Sequence, residues 1–476
     1  MFLQLFFKEA DKKMLRPLLL LAGPIILANL FQAAYQLTDA FWVGRLGEKA
    51  VAAVSVSFPV IFFFISLGTG LAVAGAILTA QYFGAKNEKM VSHSAAQTML
   101  MVVSAAIFLS AIGYLSAPTI LKWLHVDSSI MATASAYLRI SFIGVVFNFS
   151  FFMFQAIMRS IGRPKFPVYI IIGTVILNFF LDPLFMFGYG IIPAFGVAGT
   201  AMATIGTQSL AAIIGLASLF AGKRGIKLHL SDFKPDWSFI VRSFKLGLPA
   251  SIEQSSRSLE LTVMTGLVAS FGTLAMASYG VSGNVLHLAL MLSFGIAGAN
   301  SALVGQRLGA NEPEEADKVA RLSLKLIFSF LLLAGVLTFI FAPNLVAFFI
   351  PNEPAVIAEA ARLVRFISTA FGLIGLQIIV GSTLQAAGAT AQAMKLSIVS
   401  QWLVQLPLAF LLAKAFNLGV TGIWLTFPIT NLIMSTVYLI VFFKGKWKTK
   451  KIIGEEKETQ LKVLQEAEVE EIVTKD

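Results

Sequence analysis

The sequence contains no cysteine and few charged residues, and both shortages narrow what the protein can be. Without cysteine there can be no disulfide, no thiol nucleophile and no thiolate metal site. Charged residues make up 13% of the chain, against about 25% in soluble domains. The chain also lacks a Walker-type phosphate loop, a His-Glu-x-x-His motif and a Gly-x-Ser-x-Gly elbow. We therefore expect neither an enzyme nor a resident cofactor.

Long apolar runs are abundant instead, and hydrophobic residues make up 57% of the chain. A run of about 20 apolar residues can cross a bilayer as a helix. The first run has no small-residue cleavage site and is followed by many others, so we interpret it as a retained helix rather than a signal peptide. We predict twelve spans, over residues 17–43, 51–82, 90–117, 130–158, 166–188, 195–221, 237–269, 274–306, 316–346, 355–384, 393–415 and 420–444.

The distribution of Lys and Arg predicts the orientation of the chain. If the N-terminus is inside, inner segments carry roughly five times as many Lys and Arg as outer loops. Both termini are therefore predicted to be cytoplasmic, in the cell membrane. This asymmetry accounts for the net charge of +11, which would otherwise point to nucleic acid. The predicted parts are an interfacial segment (1–16), a first lobe (17–221), a cytoplasmic linker (222–236), a second lobe (237–444) and a charged tail (445–476) with no assigned function.

The two predicted lobes repeat each other at an offset of 225 residues without a gap. The coincidences that carry most weight are those of Pro, Gly and Gln, since Ala and Leu recur by chance in apolar sequence. They are Pro24 with Pro249, Gly47 with Gly272, Gln81 with Gln306 and Gly84 with Gly309. Each lobe has six spans, so both enter the membrane in the same direction. The pseudo-two-fold axis then runs along the membrane normal, which is typical of two lobes rocking around a central cleft.

An acidic cluster breaks this symmetry. Asp39 falls on Met264 and Tyr35 on Glu260. Asp39 lies at the outer end of span 1, and an ionisable group at membrane depth predicts a functional site. Three further polar residues are predicted at the same depth of the first lobe: Asn178, Asp182 and Thr200. Two neighbouring carboxylates in low dielectric favour a shared proton or a small cation. The alternative is that Asp39 caps a helix and that Asp182, before a proline, only ends span 5.

Span 7 carries a second set of charges, Glu253, Arg257 and Glu260, at spacings of four and three. These spacings place all three on one helix face, where intrahelical ion pairs can form. We interpret them as a largely self-neutralised face lining the cleft. A role in binding substrate or handling protons remains the alternative.

Ordered motifs over residues 10–445 resemble the multidrug and toxic compound extrusion (MATE) transporters. The motifs are Ala22-Gly-Pro24, Thr38-Asp-Ala-Phe-Trp-Val-Gly44, Gln81-Tyr-Phe-Gly84, Ile157-Met-Arg-Ser-Ile-Gly-Arg163, Asn178 to Asp182, Gly196-Val-Ala-Gly-Thr-Ala201, Leu246-Gly-Leu-Pro249 and Gly305-Gln-Arg-Leu-Gly309. The resemblance implies an all-α, V-shaped fold of two six-helix bundles. It also implies export of organic, often cationic or amphipathic, compounds in exchange for H⁺ or Na⁺.

The chain looks closest to the DinF-like and archaeal branch, whose ion site lies in the first lobe. On that model the site for a proton, or for Na⁺, consists of Asp39, Asn178, Asp182 and Thr200. The adjacent chamber is lined by Tyr35, Tyr137 and Gln155, with Glu253 and Glu260 as further substrate contacts. The implied cycle is alternating access, in which neutralising the acids bends span 1 near Pro24 and displaces the compound.

Two other functions remain open at this point. A lipid-linked oligosaccharide flippase of the same superfamily would need cations along its cleft, for which Arg257 is the obvious candidate. A cation channel would need a symmetric polar ring, which the two-lobe repeat does not favour. We expect a monomer in contact with membrane lipids, drug-like small molecules and H⁺ or Na⁺, and no nucleic acid.

Overall fold

The computed structural model describes residues 9–222, 225–450 and 452–453, with side chains from residue 14. Most of the predicted interfacial segment and of the charged tail lies outside these ranges. The first lobe consists of α1 (Glu9–Gly44), α2 (Glu48–Gly84), α3 (Glu88–Trp123), α4 (Ser128–Ser160), α5 (Lys165–Phe187) and α6 (Val197–Phe220). The second consists of α7 (Trp237–Ala269), α8 (Thr273–Gly309), α9 (Pro313–Phe349), α10 (Pro354–Ser368), α11 (Phe371–Ala386), α12 (Thr390–Ala415) and α13 (Gly419–Phe443).

The helices agree with the predicted spans. Ends match within three residues, except that α1 begins at Glu9 rather than 17 and α3 ends at Trp123 rather than 117. Ten helices are long and apolar enough to cross a membrane, and α10 with α11 forms an eleventh, bent span. The twelfth is α7, which is 33 residues long but more polar, and which packs along α2.

Two local features were not predicted. The tenth span is broken between α10 and α11, which meet at 51°. The break is set by packing, because a Cβ atom on Gly335 of α9 would overlap the carbonyl oxygen of Ser368, the last residue of α10. The eleventh span, α12, contains π-helical stretches at Val399–Gln405 and Leu411–Ala415. They flank Pro407, which cannot donate to an α-helical hydrogen bond.

The predicted internal repeat is visible in the backbone. The bounds of α2 and α8 are 225 residues apart at both ends, and each helix has 37 residues. Gly47 and Gly272, which precede them, have φ of 97° and 101°. Such angles are accessible to glycine without a steric cost, which explains why this residue occurs at both positions.

The first helix packs against both lobes. Its buried residues from Leu18 to Ile25 belong to the apolar core of the second lobe. From Ala28 to Tyr35 its buried residues belong to the core of the first lobe. Pro24 therefore lies where α1 passes from one core to the other. In α7, Phe239 likewise packs in the core of the first lobe.

The lobes are tied together at the end where α2 and α8 finish. A Cβ atom on Gly84 would overlap the carbonyl oxygen of Gln306, and one on Gly309 would overlap that of Gln81. The two glutamine side chains reach across the same crossing. Gln81 Nε2 donates to the carbonyl of Ala386 at 2.9 Å, and Gln306 Nε2 donates to that of Ser160 at 2.6 Å. Each glutamine thus satisfies a last-turn carbonyl in the opposite lobe, where helices leave such groups without a partner.

Candidate functional site

Three helices of the first lobe bring the predicted acids together. Asp182 and Asn178 lie one turn apart on α5, and Asn178 Nδ2 donates to Asp182 Oδ1 at 3.1 Å. Asp39 of α1 accepts a hydrogen bond from the Thr204 hydroxyl of α6 at 3.3 Å. Asp39 and Asp182 are electrostatic neighbours where α1 packs against α5. The structure therefore forms the acidic pair that the sequence predicted.

Three oxygen atoms of this cluster are buried and have no hydrogen-bond donor among the described residues. They are Asp39 Oδ1, Asp182 Oδ2 and Asn178 Oδ1. Asn178 and Asp182 are 0% exposed, so bulk water cannot satisfy them. A buried acceptor without a partner costs about 1–3 kcal/mol, and more if it is charged. The cluster therefore contains three buried acceptor oxygens that a proton or a cation could satisfy.

The oxygen chemistry of the cluster limits which cation it could hold. Within the described ranges, no group of three or more His, Cys, Asp and Glu side chains could hold a metal ion. Two carboxylates with amide and hydroxyl oxygens are hard ligands, which do not suit soft transition metals. A proton shared by the carboxyl groups or one small hard cation would fit these residues.

Tyr35 connects this cluster to a second polar region. It is 7% exposed, and its hydroxyl forms hydrogen bonds with the Thr207 hydroxyl and, at 3.4 Å, with the carbonyl of Thr204. Thr204 therefore contacts both Asp39 and Tyr35. Tyr35 and Gln155 line one small cavity of about 30 Å³. Two of the predicted chamber residues are thus neighbours.

The other two predicted residues of the first lobe, Tyr137 and Thr200, both contact Val197 of α6. Tyr137 packs on an apolar cluster formed by Val43, Ala50 and Val197. Thr200 is 2% exposed, and its hydroxyl donates to the carbonyl of Val197 at 2.6 Å. The hydroxyl bonded to Asp39 belongs instead to Thr204, one turn later on α6.

Sequence reasoning missed Thr204 and Thr207. Their spacing of four and seven from Thr200 was the available signal, because it places all three on one face of α6. Which of the three hydroxyls meets Asp39 depends on how α6 rotates against α1. That rotation is decided by packing between distant segments.

The acids of the second lobe have different surroundings. Glu253 accepts from Gln385 Nε2 at 3.1 Å and from Arg257 at 3.5 Å. Glu260 accepts from Gln405 Nε2 at 3.1 Å. Both are buried, at 7% and 4% exposure. Each carboxylate thus has an amide donor, and Arg257 supplies a positive charge on the same face.

The chain also matches a known family. A model of the MatE family matches residues 24–184 and 249–411, which is more than half of the chain and one segment in each lobe. The chain belongs to the MatE family. The predicted family is thereby confirmed, whereas the placement in the DinF-like or archaeal branch stays a prediction.

Curated MatE relatives cover nearly the whole chain. "Probable multidrug resistance protein YoeA" of Bacillus subtilis is 28% identical over 94% of this chain and 96% of its own length. "Probable multidrug resistance protein NorM" of Thermotoga maritima is 27% identical, over 95% and 97%. An "FAD transporter" of Shewanella oneidensis is 25% identical, over 88% and 92%. These MatE relatives bear names of transport proteins rather than of enzymes.

Solved structures of MATE transporters share the fold. A MATE in complex with MaL6 superposes with a TM-score of 0.86 at 21% identity, covering 94% of this chain and 100% of that one. A mutant of the Vibrio cholerae MATE transporter VcmN also reaches 0.86, at 20% identity, covering 93% and 100%. The predicted fold of two pseudo-symmetric six-helix bundles is thus confirmed. This MatE chain is a multi-pass membrane transporter.

Proposed function

We propose that the protein is a secondary active exporter that exchanges organic, often cationic or amphipathic, compounds for H⁺ or Na⁺ bound in the first lobe. The observation that carries the proposal is the set of three buried acceptor oxygens on Asp39, Asn178 and Asp182 that have no donor among the described residues. Support for drug-like substrates comes from relatives named multidrug resistance proteins.

Binding of an ion would change the energy of the acidic pair. A proton on one carboxyl group lets it donate to the other, and a bound Na⁺ would accept lone pairs from the same oxygens. Either event relieves the repulsion between two carboxylates in low dielectric. Because Thr204 bridges Asp39 and Tyr35, the change reaches the small cavity that Tyr35 shares with Gln155.

The first helix is the element through which this change would move the lobes. Pro24 leaves the carbonyl of Leu20 without its helical donor, which weakens α1 at that point. The residues before Pro24 pack mainly with the second lobe, and those beyond Ala28 with the first. A bend at Pro24 would shift Asp39 relative to the second lobe.

The crossing of α2 and α8 supports an outward-facing state. The proposed topology, with both termini in the cytoplasm, places this crossing at the cytoplasmic end. There the glycine contacts and both glutamine hydrogen bonds hold the lobes together. A cleft between the lobes would then open toward the outside, from which an ion can reach Asp39.

The two alternative functions gain less support. A flippase for lipid-linked oligosaccharides would use free cations in the cleft to bind a pyrophosphate. Arg257 is instead within 3.5 Å of Glu253, which partly neutralises it. A cation channel would be recognised by conductance far above the turnover of a carrier.

The decisive experiment is efflux of a fluorescent organic cation from proteoliposomes, with pH and Na⁺ gradients imposed separately. Wild type, Asp39→Asn and Asp182→Asn are compared with Glu48→Gln, which removes an exposed carboxylate from the same lobe. We expect gradient-driven efflux in wild type and Glu48→Gln and none in the two Asp variants. Full transport by both Asp variants would refute ion coupling in the first lobe. The gradient that drives efflux would identify the ion.

A further inference from the structure

A cavity of about 390 Å³ opens where α4 ends and α5 begins, away from the acidic pair. Most of its lining is apolar, but the turn between the two helices adds two cations. The lining residues are Leu20, Leu21, Met158, Gly162, Arg163, Pro164, Lys165 and Phe166. Leu20 is 54% exposed on a helix that crosses the membrane, so the cavity borders the lipid. It lies at the same end of the molecule as the crossing of α2 and α8.

The two cations of this cavity make no ion pair or hydrogen bond with another described residue. Arg163 and Lys165 are both exposed. Other cations at this end of the molecule are engaged: Arg307 with Glu312 at 2.7 Å and Lys318 with Glu315 at 2.7 Å. Two cations beside an apolar cavity at the edge of the membrane fit an anionic headgroup attached to an acyl chain.

The second lobe contains the counterpart of this place, and there the chain itself fills it. Gly162 and Gly388 occupy matching turns, with φ of 75° and 74°. A leucine lies beside each turn. A Cβ atom built on Gly162 would be 4.0 Å from the side chain of Leu21, and a Cβ atom built on Gly388 would be 3.6 Å from that of Leu246, which is 225 residues after Leu21. A Cβ atom on Gly388 would also overlap the side chain of Ile452.

The segment that carries Ile452 supplies a cation as well. Lys450 Nζ donates to the carbonyl of Gly388 at 2.8 Å. In the first lobe, no described side chain of the segment after α6 lies within 4 Å of a Cβ atom built on Gly162. Gly225 of that segment lies instead beside the guanidinium group of Arg163, whose Cζ would be 3.0 Å from a Cβ atom built there. The segment that follows the last helix of the second lobe thus covers this turn with an apolar side chain and an ammonium group. The first lobe offers an open cavity and two cations at the same position.

We propose that one anionic phospholipid binds in this cavity, in the leaflet that the proposed topology makes cytoplasmic. Its acyl chain lies against Leu20, Met158 and Phe166, and its phosphate contacts Arg163 and Lys165. The lipid takes the place that Ile452 occupies in the other lobe. The same turn also contributes to the closed crossing, because the carbonyl of Ser160 accepts from Gln306 of the second lobe at 2.6 Å. Bound lipid therefore stabilises the closed end.

The test is a titration of the purified full-length protein in detergent with short-chain phosphatidylglycerol, short-chain phosphatidylcholine and inorganic phosphate. Native mass spectrometry counts bound lipid and a melting curve reports stabilisation. We expect phosphatidylglycerol to bind and to raise the Tm, phosphatidylcholine to bind more weakly, and phosphate to do neither. The double variant Arg163→Gln/Lys165→Gln should bind phosphatidylglycerol about 30-fold more weakly. The control Lys89→Gln/Lys444→Gln removes two exposed cations from the same end and should bind like wild type.

A second variant separates a lipid from a free phosphate. Leu20→Trp fills the apolar part of the cavity and keeps both cations, so it should lose phosphatidylglycerol binding. It also tests the proposal if the double variant does not fold. If the control variant Lys89→Gln/Lys444→Gln loses as much phosphatidylglycerol binding as the double variant does, the effect comes from general surface charge and the proposal is overturned. If phosphate raises the Tm as much as phosphatidylglycerol does, and Leu20→Trp responds like wild type, then the ligand is a free anion and not a lipid. No stabilisation of wild type by phosphatidylglycerol would refute the site.

Discussion

The two lobes share one frame and differ in how they hold their buried acids. In the first lobe, Asp39 and Asp182 adjoin each other, and each has an oxygen with no donor among the described residues. In the second lobe, Glu253 and Glu260 each accept from a glutamine amide, and Arg257 adds a positive charge. The first cluster leaves acceptor oxygens without donors among the described residues, whereas the second is largely satisfied by the protein. In the proposed mechanism, ion binding is therefore confined to one copy of a duplicated fold.

The difference arises from single positions of the repeat. The residue that corresponds to Asp39 is Met264, which is 0% exposed in the core of the second lobe. Where the first lobe has Tyr35, the second has Glu260. The acids of the two lobes therefore lie at different heights along equivalent helices. In the proposed mechanism, a compound in the cleft would meet ion-binding residues on one side and a fixed polar face on the other.

The largest expected effect breaks this comparison directly. Asp39→Asn or Asp182→Asn should reduce gradient-driven efflux to background, because an amide neither binds a proton nor supplies a charge. Glu253→Gln and Glu260→Gln should retain most of the efflux, since a glutamine can still accept from Gln385 or Gln405. Rates in proteoliposomes at matched protein levels check this. If the glutamate variants fail and the aspartate variants work, the coupling lobe has been assigned the wrong way round.

The next effect tests the close crossing of the lobes. Gly84→Ala and Gly309→Ala each place a methyl group onto a backbone carbonyl of the opposite lobe, so the crossing must separate. We expect both variants to lose most transport and to melt earlier than wild type. Gly206→Ala, in the middle of α6, and Gly266→Ala, in the last turn of α7, add the same methyl group where no neighbouring atom lies within 4 Å. These controls should match wild type, and a loss in them would show that helix glycines are sensitive in general.

A smaller effect is expected from the two glutamines at the crossing. Gln81→Leu and Gln306→Leu remove the donors to Ala386 and Ser160 and leave each carbonyl without that partner. Each change should weaken the closed end by about 1–2 kcal/mol, which is roughly a 5- to 30-fold shift toward the open end. Because the chain has no cysteine, spin labels at Lys89→Cys and Glu314→Cys can report the distance between the lobes. Equal distances in wild type and both variants would contradict the role assigned to these two hydrogen bonds in holding the closed end together.

The sequence predicted the frame well because its signals were local. Each span was a long apolar run, and the offset of 225 could be read from Pro, Gly and Gln. The acidic pair was predicted because Asp39 and Asp182 are ionisable residues in otherwise apolar spans. The break between α10 and α11 was missed, since it depends on the contact of Gly335 with Ser368 across helices. The exchange of α1 between two cores and the bond from Thr204 to Asp39 also arise from packing between distant helices.

The smallest predicted effect concerns how each lobe anchors the segment that follows its last helix. In the first lobe, buried Gln97 donates to the carbonyls of Asp232 and Lys234 at 2.7 and 2.6 Å and accepts from the Asp236 amide at 3.0 Å. In the second, buried Asp317 forms ion pairs with Lys448 at 3.2 Å and with Arg321 of its own helix at 2.7 Å.

Gln97→Ala leaves backbone groups of the linker without their buried partner, whereas Asp317→Asn removes only a charge and keeps an oxygen that can accept from Arg321 and Lys448. We expect Gln97→Ala to lower the Tm by several degrees and Asp317→Asn to lower it less, with transport retained in both. A melting curve in detergent at low and at high salt checks the distinction. Added salt should reduce the difference between Asp317→Asn and wild type and leave the effect of Gln97→Ala unchanged. If salt instead reduces the effect of Gln97→Ala, the linker is held by charge and not by the Gln97 amide. The ion pair between His93 and Asp236 is one such charged contact.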